Sequence, residues 1–181
     1  LRLKDGNATV AGYNLIKLRK RKILALRRKL GIVFQDFQLL TDRTVEENLK
    51  FVMRATGWKD KKKVKARTSE LLEKVGMAEK DYKFPHQLSG GEQQRIAIAR
   101  ALINDPEIIL ADEPTGNLDP ETTEEIMRLL FEISGTGKTI LMATHDYDMM
   151  QRFPSRTLRC EDEAVTEINL AEAPEFKVNR Y

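Results

Sequence analysis

Three short apolar runs punctuate the chain: Ile32 to Phe34 behind Gly31, Ile108 to Ala111, and Ile140 to Ala143. Each has the length of a strand, and none alternates with polar residues. Unbroken apolar character over so few positions predicts strands covered on both faces, the habit of parallel sheets. Pro106 and Pro114 bound the middle run, and proline does not continue a sheet ladder. Between the runs the apolar period lengthens. Val45, Leu49, Val52 and Met53 share one helical face, as do Ile96, Ala99 and Ile103. Further helices are predicted from the Lys59–Lys65 region to about Val75 and over 121–134, and a last strand over 165–168. Thr44 with Glu47, and Ser89 with Glu92, have the form of capping boxes at two of the helix starts. Strands that alternate with helices predict an α/β fold.

Composition narrows the setting. A chain of 181 residues buries roughly 70% of its unfolded surface. No apolar run approaches the ~20 residues of a membrane span. One cysteine, Cys160, excludes an intramolecular disulfide, fits a reducing cytosol, and is read as inert. Net charge is +3 but unevenly spread: residues 1–100 carry 24 Lys/Arg against 11 Asp/Glu, or +13, and residues 101–181 carry 7 against 17, or −10. The densest basic runs, 17–29 and 59–65, suit either a solvated face or an anionic surface, and the solvated face is preferred for the second. No nucleic-acid partner is expected.

Candidate chemistry sits at helix starts and strand ends. Ser89-Gly90-Gly91 opens a helix, where unpaired amides and the positive dipole end favour a phosphate. Taken alone, an ordinary glycine turn explains it equally well. Asp112 and Glu113 end the middle strand, where ligands of open α/β sheets bind, although an acidic strand end is commonly just solvated. His145 follows the third run, and a lone histidine there is usually structural. His86 is read as surface polar. Gly135 to Thr139 contain Gly-Lys-Thr, but a phosphate loop of the form GxxxxGK[ST] needs glycine where Glu132 stands. That segment also runs from helix into strand, the reverse of a phosphate loop. Gly135 and Gly137 are read as a helix stop, and Lys138 as a solvated charge.

Taken together, these segments resemble one family. Leu88-Ser89-Gly90-Gly91-Glu92-Gln93-Gln94-Arg95 is similar to the signature of ABC ATPases, and Ile108 to Glu113 to their Walker B strand. Gly31 to Gln35 resembles the Q-loop, Gly116-Asn117-Leu118-Asp119 the D-loop, and Thr144-His145-Asp146 the switch histidine. The resemblance implies an α/β P-loop NTPase built as one ABC ATPase domain over 1–181. Its RecA-like core would take 1–35 and 93–168, a helical subdomain 36–92, and a tail 169–181. It implies ATP and Mg²⁺ as cofactors and a homodimer that sandwiches two ATP molecules. Ser89, Gly90, Gly91, Glu92 and Gln93 would meet the nucleotide of the opposite copy. Glu113 would act as general base, Asp112 and Gln35 would hold the metal, Gln35 and His145 would assist catalysis, and Asn117, Leu118 and Asp119 would touch the partner copy.

No Walker A segment is present, and the chain starts at Leu1. The expectation is that the first part of the core is missing. The full-length protein would then be an ATP hydrolase, and the 181-residue piece alone inactive; natural loss of the loop, leaving a non-catalytic binding module, is the alternative. Asp112 to Asp119 is similar to the branch that includes lipoprotein-release, macrolide-export and cell-division ATPases. Phe34-Gln35-Asp36-Phe37-Gln38-Leu39-Leu40-Thr41-Asp42-Arg43-Thr44-Val45 most resembles the cell-division branch. That likeness implies an FtsX-like integral membrane subunit as partner, at the cytoplasmic face of the bacterial inner membrane, with a lipoprotein-release or macrolide-type exporter as the alternative. The long heptads of DNA-repair relatives are absent from this sequence.

Overall fold

In the computed structural model, which describes residues 6–16 and 18–170, the three apolar runs become one parallel sheet. Residues 1–5, residue 17, and 171–181 of the expected tail lie outside the described residues. A short hairpin comes first, β1 (Thr9–Val10) with β2 (Tyr13–Asn14). Helix α1 (Lys20–Arg28) leads into β3 (Leu30–Val33). Helices α2 (Val45–Ala55), α3 (Lys61–Lys74) and α4 (Gly90–Ala101) precede β4 (Ile108–Asp112). Helix α5 (Pro120–Gly135) then leads to β5 (Thr139–Ala143). The sheet order is β3-β4-β5, with β4 central and both pairings parallel.

The chain divides into two compact units, with the break between Ala143 and Thr144. The expected core segment 93–168 spans that break. The second unit holds a short helix α6 (Tyr147–Arg152) and a hairpin of β6 (Thr157–Glu161) with β7 (Ala164–Ile168). Its turn places Asp162 and Glu163 at φ 48° and 62°, the paired left-handed geometry that suits a two-residue hairpin.

Local chemistry fixes these elements. Both predicted capping boxes are present, Thr44 with Glu47 and Ser89 with Glu92. Asp60 caps α3 through the Lys62 and Lys63 amides, and Asp119 caps α5 with Pro120 in its first turn. Helix α1 was not foreseen: its N-cap is Arg19, with no side-chain cap bond and no acidic residue in the first turn, so it lacks the usual start signal.

Helices α4 and α5 fit tightly inside the first unit. A Cβ on Gly31 would come 2.7 Å from the Ala101 carbonyl oxygen, so β3 lies directly against the end of α4. At the other end of α4, a Cβ on Gly91 would meet Thr122 Cγ2 of α5 at 2.3 Å. Ile96, Ile98, Ile109, Ile126 and Ile133 are fully buried, and each such side chain contributes about 1.5–3 kcal/mol. Among the described residues one face of the sheet is covered and the other stays open. Ile32, Leu110 and Leu141 stand in register across the three strands, yet Ile32 and Leu141 stay 44% and 58% exposed.

Lys138 is not a solvated charge. Its side chain is 14% exposed, pairs with Asp105 at 2.5 Å and also donates to the Pro106 carbonyl at 3.2 Å. This pair pins the start of β5 to the turn before β4. Gly137, at φ 89°, follows α5 as a stop residue should.

Candidate functional site

Parallel strands deliver their carboxyl ends to one edge, and the acidic pair lies there. Val33 pairs with Ala111, and Asp112 with Ala143. Gln35 follows Val33 by two residues, and Glu113 follows Ala111 by two. Strands β3 and β4 therefore deliver Gln35 and the Asp112–Glu113 pair to the same end of the sheet. Asp112 is exposed and Glu113 half-buried. Glu113 adopts φ 43°, a left-handed conformation that costs a non-glycine residue about 1–3 kcal/mol and gathers at functional sites. Its amide donates to the Ala143 carbonyl at 2.9 Å, and its own carbonyl accepts from the Gly116 amide at 3.1 Å. The backbone thus holds the bend that re-aims the chain just past the strand.

Gln35 is tied to residues 82 positions away. Its Nε2 donates to Asn117 Oδ1 at 3.4 Å, and Asn117 Nδ2 donates to the Gln35 carbonyl at 3.1 Å. A Cβ on Gly116 would lie 2.7 Å from Gln35 Nε2, so the Gln35 side chain lies directly against the Gly116 backbone. With its amide nitrogen facing Asn117, Gln35 has its side-chain oxygen to offer elsewhere.

The Ser-Gly-Gly helix start closes on the same region. Ser89 Oγ accepts from the Glu92 amide at 3.2 Å, and the Ser89 amide donates to Glu92 Oε2 at 2.9 Å. Lys80 pairs with the other Glu92 oxygen. The Lys80 ammonium, then the Ser89 amide, hold the Glu92 carboxyl below its ordinary 4.5. Gln93 Nε2 donates to the Leu88 carbonyl at 3.2 Å. Both glycines are closely approached from within the chain: Gly91 by Thr122, and Gly90 by Leu118, whose Cδ2 would lie 3.2 Å from an added Cβ. Leu118 and Asn117 therefore sit between Gly90 and Gln35. Asp119 is engaged by its own helix, accepting from the Thr122 amide at 3.0 Å and from Thr122 Oγ1 at 2.6 Å. Those bonds lower its pKa.

Sequence reasoning missed one basic residue at this cluster. Arg100 of α4 donates Nη2 to the Phe37 carbonyl at 2.8 Å and Nη1 to the Gln38 carbonyl. Burial lowers the guanidinium below its ordinary value, and Asp36 opposes that shift; an arginine remains charged throughout. Its partners are main-chain carbonyls 62 and 63 positions away, which no side-chain pattern announces. His145 lies just inside the second unit, between Thr144 and Asp146. Asp146 caps α6 by accepting from the Met149 amide at 3.0 Å. His86 stacks on Phe84 with centroids 5.7 Å apart and is exposed.

For a metal, the donors at the sheet end are oxygens: the Asp112 carboxylate and the Gln35 amide. Magnesium takes few protein oxygens and keeps several waters, so these residues fit it. Among the described residues no cluster of three or more His, Cys, Asp or Glu forms an all-protein cage.

The ABC transporter family model matches residues 3–116. The cell division ATP-binding protein FtsE of Streptococcus pneumoniae (strain D39) is 46% identical over 162 residues, which are 90% of this chain and 70% of that protein. FtsE of Escherichia coli K12 is 45% identical over 157 residues, covering 87% of this chain and 70% of that one. Among solved structures, the dimeric post-hydrolysis state of the ATP-binding cassette MJ0796, bound to ADP and Pi, superposes with a TM-score of 0.77 at 36% identity, over 93% of this chain and 75% of that one. CbiO1 of Clostridium perfringens, part of the ABC transporter complex cbiONQ, gives 0.75 at 34% identity, over 84% and 61%. This chain belongs to the ABC transporter family, as an ATP-hydrolysing subunit of its FtsE, cell-division type.

Proposed function

We propose that two copies of this subunit close over two ATP molecules and pass that closure to an FtsX-like integral membrane partner during bacterial cell division. The subunit then works at the cytoplasmic face of the inner membrane. Among the described residues no helix is long and apolar enough to cross a membrane. The observation that carries the reading is the strained Glu113 at the end of the central strand, beside Asp112 and within one strand of Gln35.

Glu113 takes a proton from the attacking water, general-base work of ~10²–10⁴ in rate. Asp112 and the Gln35 oxygen hold Mg²⁺, which when bound neutralises charge on the phosphates. His145 donates to the terminal phosphate. Ser89, Gly90, Gly91, Glu92 and Gln93 face the nucleotide of the opposite copy, and the first-turn amides of α4 suit an anion. Asn117, Leu118 and Asp119 meet the other copy. Glu92 is already bonded as a cap, so its part is to hold the loop rather than to grip phosphate directly.

Coexpression with the integral membrane protein encoded beside its gene tests the reading. The complete gene product is expected to copurify with that protein in detergent as a two-copy ATPase. A gene product that stays free of it, or that associates with a solute exporter instead, contradicts the cell-division assignment.

A further inference from the structure

The segment that runs from β3 through Gln35 touches both ends of α4. At its root, Gly31 packs on Ala101 near the end of α4; at its tip, the Phe37 ring stands 3.7 Å from the Cβ position of Gly90, at the start of α4. Between these points the chain makes an unusual turn. Phe37 and Gln38 are both left-handed, at φ 58° and 47°, and one such non-glycine residue is already uncommon. The turn is tight: the Gln38 amide donates to the Asp36 carbonyl at 2.6 Å.

The reversal aims two successive carbonyls at the fork of Arg100. A guanidinium fits such a pair because its donors are planar and fixed, whereas an ammonium meets them as a single point. Helix α4 is itself held from α3, where Arg67 donates to the Leu102 and Ile103 carbonyls at 2.7 and 3.2 Å. The carboxyl end of the signature helix is therefore anchored to α3, and Arg100 is its grip on the loop.

We infer that Arg100 is a positioning residue for Gln35: its fork on the Phe37 and Gln38 carbonyls makes the signature helix and the Gln35 loop move as one piece. The inference rests on the catalytic role given to Gln35 above.

Kinetics of the complete gene product test it. Arg100→Lys keeps the charge and removes the fork. It is expected to lower kcat about tenfold while KM for ATP stays within about twofold, with the thermal midpoint nearly unchanged. Gln35→Ala is expected to lower kcat at least as far. The double variant should then be no slower than Gln35→Ala alone, because residue 100 acts through residue 35. Additive losses, wild-type kcat in Arg100→Lys, or a loss confined to KM overturns the positioning role and leaves that of Gln35 intact. Wild-type kcat in Gln35→Ala overturns both. Arg100→Gln, which drops the charge with the fork, is run as a second arm so that a poorly folding lysine variant does not decide the matter.

Discussion

Val33 and Ile109, on one face of the central sheet, are wholly buried, while Ile32 and Leu141, on the other, are 44% and 58% exposed. The strands are the same and the residue types nearly so. Helices make the difference. On the first face α4 and α5 approach so closely that Gly31 and Gly91 have no room for a methyl group. On the second, no helix of the described residues covers Ile32 or Leu141. Apolar sequence thus reports what a strand is suited to bury, whereas burial itself needs a partner element. Stability and site geometry in this chain both come from the covered face, because the same two helices carry the signature start and the Asp119 cap.

Urea unfolding of the 181-residue chain can break or sharpen that contrast. Ile109→Ala, on the covered face, is expected to cost about 2–5 kcal/mol, since the site between packed helices cannot collapse. Acid should give an intermediate effect at the start of α4. The folded Glu92 carboxyl sits below its ordinary 4.5, held first by Lys80 and then by the Ser89 amide. A lowered folded value stabilises above the unfolded value and is lost as pH falls through the folded one. Stability should therefore decline below about pH 4.5, and Lys80→Met should flatten that decline. An unchanged slope in Lys80→Met would detach the ion pair from the effect. Leu141→Ser, on the open face, should be the mildest change, within about 0.5 kcal/mol, as for surface positions generally. A cost matching that of Ile109→Ala would mean the open face is covered in solution.

Much of this was legible in the sequence, for identifiable reasons. The runs at β3, β4 and β5 are uninterrupted, and Ser89–Glu92 and Thr44–Glu47 carry their start signals in side chains, so local chemistry sufficed. Helix α1 was not legible, because Arg19 offers no cap and its basic residues mask the apolar spacing. Helix α6 was missed because it is only 6 residues long, and β6 because its strand partner is the faintly patterned β7. Lys138 was misread because its carboxylate, Asp105, comes near only once β4 and β5 pair. The site was legible as a set of motifs but not as a network. The Gln35–Asn117 bonds link residues 82 positions apart, and the Arg100 fork reaches main-chain carbonyls 62 and 63 positions away; only the folded chain brings them together.

One substitution bears most directly on the catalytic reading. Glu113→Gln in the complete gene product preserves the shape of the side chain and removes its basicity. ATP hydrolysis should fall by roughly 10²–10⁴ while ATP binding, followed by titration, persists. Hydrolysis at an undiminished rate would contradict the account.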